Sequence, residues 1–162
     1  MRALTVGCLG LVAAAAASSA RAELITHKDL SLAMALTIAT TAIETCKANG
    51  YRVSATVVGR TGEVLVQLRG DEASPHTMEN SLRKAYTART FRRPSGEMVQ
   101  RLKENPTASF PFLTNVGAAQ GALPIKAGED TIGAIGVSGA PGGEKDEACS
   151  KTGLDKVADQ LK

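Results

Sequence analysis

Residues 130–147, DTIGAIGVSGAPGGEKDE, decide how this chain is read. Thr131 to Ser138 is a run of small and β-branched residues that predicts a strand. It leads through Gly139–Gly143 into an acidic helix start. A glycine-rich turn in that setting suggests a phosphate cradle, and two versions can be tested. A Walker A loop needs Lys, then Ser or Thr, directly after its last glycine. Here Gly143 is followed by Glu144, Lys145 and Asp146. The dinucleotide fingerprint needs G-x-G-x-x-G, whereas these glycines stand at 133, 136, 139, 142 and 143. Glu144, Asp146 and Glu147 complement the positive end of the coming helix and would repel a phosphate there. The glycines are therefore read as places where a helix lies close against the sheet.

Working outward, the segment closes an alternating series. Thr26 and Asp29 form a T-x-x-D start, and Leu32, Leu36, Ala39, Ile43 and Cys46 recur at helical spacing, predicting a helix over 27–48. Val53–Val58 and Val64–Leu68 flank a Gly59–Gly62 turn and predict a hairpin. Ser74-Pro75 opens a second helix to about Thr90, with Met78, Leu82, Ala85 and Arg89 on one face. A third helix spans 96–104, between Pro94 and Asn105-Pro106. Strands are predicted at 112–116, 122–125 and 131–138, and a last helix at 144–161. The order is α-β-β-α-α-β-β-β-α. Short turns between successive strands give an α+β class, an antiparallel sheet with helices packed against it.

The first 22 residues read as a secretory signal: Arg2, an apolar run from Leu4 to Ala17, and the small-x-small site Ala20-Arg21-Ala22. The run is too short for a typical membrane span. Removal would leave one domain, residues 23–162, with no integral membrane segment expected and a periplasmic or secreted location. Without Arg2 and Arg21, 17 Lys and Arg face 16 Asp and Glu, so net charge falls to about +1. That balance, with only Tyr51, Tyr86, Phe91, Phe110 and Phe112 as aromatics, argues against nucleic acid as a partner. Cys46 and Cys149 survive processing. In an oxidising compartment such a pair suggests a disulfide, and the competing reading is two buried free thiols.

Four stretches carry a family likeness: CKANGYRVSATVV (46–58), LRGDEASPHT (68–77), RKAYTARTF (83–91) and IGAIGVSGAPGGEKDEAC (132–149). Together they resemble the GlcG/HbpS family of haem-binding proteins, also called the haem-degrading domain family. The resemblance extends over residues 27–162. It implies a five-stranded antiparallel sheet flanked by helices, of profilin-like type, and a homo-oligomer. It also implies that the first and last helices share one face, which would bring Cys46 and Cys149 together as a disulfide. Some members bind haem, and others sit in small-acid metabolism.

Haem iron takes an axial donor such as His, Tyr, Met or Cys, and propionates favour cations nearby. The only histidines are His27, read as a surface residue, and His76, in the first turn of the second helix. The helix from His76 also carries Arg83, Lys84, Tyr86 and Arg89, followed by Arg92 and Arg93. The candidate haem-contacting set is thus His76, Arg83, Lys84, Tyr86 and Arg89, with His76 as candidate iron ligand. Against it stands a solvated basic helix face with Tyr86 packed. Asp71 and Glu72, near His76 in sequence, form an acidic pair open to acid–base work or simply solvated. No Ser-His-Asp pattern, H-E-x-x-H or C-x-x-C supports catalysis. The first reading is a tetrapyrrole binder. A second is a binder of, or enzyme acting on, a small organic acid held by Arg83, Lys84 or Arg89. A third is an oligomeric scaffold or sensor partner.

Overall fold

A computed structural model describes residues 23–162; the expected leader at 1–22 lies outside the described residues. Four antiparallel strands form the sheet: β1 (Ser54–Val58), β2 (Val64–Arg69), β3 (Ala122–Ala127) and β4 (Asp130–Ser138), in the order β2-β1-β4-β3. The hairpin β1–β2 and the hairpin β3–β4 are joined edge to edge by β1 pairing with β4. This puts the two most buried strands at the centre.

Alternation along β1 separates two layers. Ala55 and Val57 face one side, where α1 (Leu32–Ala48) and α4 (Gly143–Asp155) pack with Ile38, Ala42, Ile135 and Val137 into the main core. Ser54, Thr56 and Val58 face the other side, covered by α2 (His76–Phe91), with α3 (Ser95–Glu104) beside it. The glycines of the opening segment do permit close approach. A Cβ at Gly136 would overlap the Ser81 carbonyl oxygen of α2 and come within 2.6 Å of the Ala85 nitrogen. Cys46 and Cys149 lie on facing helices with Cα atoms 5.7 Å apart and sulfurs 2.12 Å apart, at bonding distance.

The structure corrects several expectations. There are four strands among the described residues, not five. The expected strand at 112–116 is instead a 3-10 turn, Phe110–Phe112, followed by a tight bend. Pro111 has no N–H to offer a ladder, and Asn115 sits at φ 65°, which no strand tolerates. The last helix stops at Asp155, and Ala158–Gln160 form a separate 3-10 turn. α1 starts at Leu32 because Ser31, not Thr26, caps it: its Oγ accepts from the Met34 N–H at 3.2 Å. Asp29 is instead held by Arg60 at 3.3 Å and His27 at 3.0 Å. α2 is rotated from the predicted face. Thr77, Ser81, Lys84, Ala85 and Ala88 are buried, while Met78, Leu82 and Arg89 are half-buried. Among the described residues no helix is long and apolar enough to cross a membrane.

Candidate functional site

The rotation of α2 follows from its polar seam with the sheet. Ser54 and Thr77 hydroxyls meet at 2.7 Å, as do those of Thr56 and Ser81. Gln67 Nε2 donates to Thr56 Oγ1 and to the Met78 carbonyl, both at 2.9 Å. Asn80 Nδ2 donates to Ser138 Oγ at 2.9 Å. Each buried polar group thereby finds a partner, so the interface costs little beyond desolvation. Hydropathy periodicity cannot register such a face, because its residues are polar.

Lys84 ends the seam. Its Nζ donates to Asp146 Oδ2 at 2.7 Å and to the Val137 carbonyl at 3.0 Å, with both side chains only 4% exposed. Asp146 Oδ1 accepts from the Ala140 N–H at 2.9 Å. Burial pushes the Asp146 carboxyl above its ordinary range, opposed by the attraction of Lys84. This pair lies in the wall of a cavity of about 500 Å³ whose lining also includes His76, Asn80, Gln120 and Ser138. His76 stands exposed at the rim. Small residues, Ala118, Ala119, Gly139 and Gly142, leave the rest of the wall shallow.

The five candidate residues do not converge. His76 and Lys84 share this cavity, but the Lys84 ammonium is held by Asp146 rather than presented to an anion from solvent. Arg83 lies against the adjoining loop, where its Nη2 donates to the Val116 carbonyl at 2.8 Å and its side chain packs on Gly117. Tyr86 lies under the β1–β2 turn, where a Cβ at Gly62 would come within 2.7 Å of its ring. Arg89 is one turn further on; its Nε is buried without a partner, and burial, with repulsion from Arg92 and Arg60, lowers its pKa. The 13 positions between His76 and Arg89 place them about 20 Å apart along the helix axis. Asp146, Asn80 and Ser138 were missed as site residues. The acid at 146 was read as a helix-start charge, and nothing in sequence pairs it with Lys84.

Asp71 and Glu72 do not face His76. They line a second cavity, of about 570 Å³, at the far end of α1. There Lys47 pairs with Asp71 at 3.6 Å and Arg52 pairs with Glu72. Ile43, Val53 and Leu68 supply apolar lining. Among the described residues, no group of three or more His, Cys, Asp or Glu is placed to hold a metal ion.

A four-stranded antiparallel sheet with α1 and α4 on one face and the polar-seamed α2 on the other makes a three-layered α+β domain. The family model described as "Haem degrading protein HbpS-like" matches residues 30–155, and the chain belongs to this family. A crystal structure of HbpS superposes with a TM-score of 0.80 at 35% identity, covering 86% of this chain and 98% of HbpS. A 15.0 kDa protein from the dhaT–dhaS intergenic region of Citrobacter freundii is 33% identical over 102 residues, 61% of this chain and 71% of that protein. The structure of a PduOC:haem complex, at 21% identity, matches with a TM-score of 0.71 over 79% of this chain and 94% of that one, a likeness of fold.

Proposed function

We propose that this chain binds haem or a related tetrapyrrole, with His76 as the iron ligand. Membership of the HbpS-like family makes haem the relevant ligand class. The observation that carries the site is the placement of His76, an exposed imidazole at the rim of the 500 Å³ cavity. The donor set offers the group one accessible imidazole and small neighbours that admit a flat ring. Bound haem would supply an iron centre whose Soret absorption reports its ligands. Lys84 and Asp146 hold the junction between β4 and α4 in place behind His76; their role is positioning. Export, the Cys46–Cys149 bridge as a bond formed in an oxidising compartment, and a homo-oligomer belong to the same reading.

Hemin titrated into the purified chain is expected to give a saturable Soret shift near one equivalent. His76→Ala should weaken binding by at least about tenfold and alter the Soret maximum. A chain that shows no saturable shift overturns the function, whereas tight unaltered binding by the variant overturns the ligand assignment alone.

A further inference from the structure

We infer that the second cavity, between the end of α1 and the loop after β2, is a separate binding site for a small zwitterion with an apolar side chain, such as a hydrophobic amino acid. The cavity shares none of the lining residues of the His76 site. Its volume, about 570 Å³, falls in the range of small-molecule sites.

The lining has two chemistries. Ile43, Val53 and Leu68 provide an apolar surface, and Tyr51 stands beside it with its ring 5.6 Å from the Lys145 ammonium. Above it are two ion pairs, Lys47 with Asp71 and Arg52 with Glu72, each joining the α1–β1 side to the β2–α2 loop. All four side chains are largely exposed, Asp71 91% and Glu72 71%. Exposed pairs of this kind hold together weakly, so a ligand can open them at small cost. The loop that carries the acids is itself held. The Arg69 guanidinium donates to the Ala73 carbonyl, and Glu72 is kept at φ 60°, a left-handed conformation that non-glycine residues rarely adopt.

The charge count selects the ligand. The lining holds Lys47, Arg52 and Arg69 with Glu44, Asp71 and Glu72, three cations and three anions, two of each joined as ion pairs. A simple carboxylate entering between the pairs would displace one acid into solvent and gain a single charge contact. A simple amine would do the same to one base. A zwitterion gives its carboxylate to Arg52 or Lys47 and its ammonium to Glu72 or Asp71, and no charge is left without a partner. An apolar side chain then covers the Ile43, Val53 and Leu68 surface.

The test is an NMR titration of the purified chain, following the Ile43, Val53 and Leu68 methyl signals, with L-phenylalanine as probe. Its single-charge analogues, 3-phenylpropionate and 2-phenylethylamine, are titrated in parallel. Saturable shifts with L-phenylalanine are expected, with each analogue about threefold weaker, the scale of one exposed charge contact. Arg52→Gln and Glu72→Gln, both at exposed positions and checked for unchanged melting, should each weaken L-phenylalanine about threefold. His76→Ala should leave it unaffected, so the outcome is independent of haem binding. Absence of saturable methyl shifts overturns the site. Equal binding of either analogue, or unchanged binding by both charge variants, overturns the zwitterion assignment.

Discussion

At Lys84 a residue read as a solution-facing cation turns out to be buried beside a carboxylate 62 positions later. The consequence for stability is specific. Removing one partner leaves the other as an uncompensated buried charge, so Asp146→Ala is expected to cost about 3–5 kcal/mol in denaturant unfolding. Replacing both by apolar residues of similar size, Lys84→Met with Asp146→Leu, should cost clearly less than that, because neither charge then has to be desolvated. Equal losses for the single and double variants would mean that the pair is not the buried unit described. Position 84 was legible in sequence as a cation and as part of a helix, but its environment was not. The pair forms only when α4 docks its first turn over β4, and no local pattern encodes that.

Between elements, the decisive contact is α2 on the sheet. The prediction of a helix from Ser74-Pro75 held to within a few residues, since proline and the helical spacing act locally. The predicted face did not hold. Thr77 and Ser81 are buried because Ser54 and Thr56 lie opposite them, and a face of small polar residues bonded across an interface is invisible to hydrophobic periodicity. Gly136 is where this packing is tightest. Gly136→Ala would push the Ser81–Ala85 backbone of α2 off β4, and overpacking of this kind costs about 1–3 kcal/mol. It should also disturb the His76 cavity, read as weakened hemin binding together with a lowered unfolding midpoint. An alanine variant with wild-type stability would show that α2 lies further from β4 than it does here. The missing fifth strand is a failure at the same scale. Residues 112–116 have strand-like composition, yet Pro111 and the left-handed Asn115 turn the chain, and Phe112 is left 89% exposed.

For the whole molecule, the contact between Cys46 and Cys149 joins positions 103 residues apart. If the bond is formed, closing a loop of that length stabilises by about 4–5 kcal/mol in the chain-entropy model. Reduction, or the Cys46→Ala with Cys149→Ala variant, should therefore lower the unfolding midpoint well beyond the effect of a typical surface change, measured in the same denaturant. Equal midpoints for oxidised and reduced chains would argue that the packing of α1 on α4 suffices without the bond. The amino-acid sequence by itself determined the α+β class, the order of the elements apart from the strand expected at 112–116, the helix stops at glycine and proline, the glycine positions of close approach and the family. These rest on local propensity and on residue spacing along one stretch of chain. Only the tertiary structure decided that the basic helix buries its lysine, that His76 and Arg89 belong to different places, and that Asp71 and Glu72 guard a second cavity. Those outcomes depend on which distant groups meet across the sheet, because a charge is accessible or neutralised according to neighbours that only folding supplies.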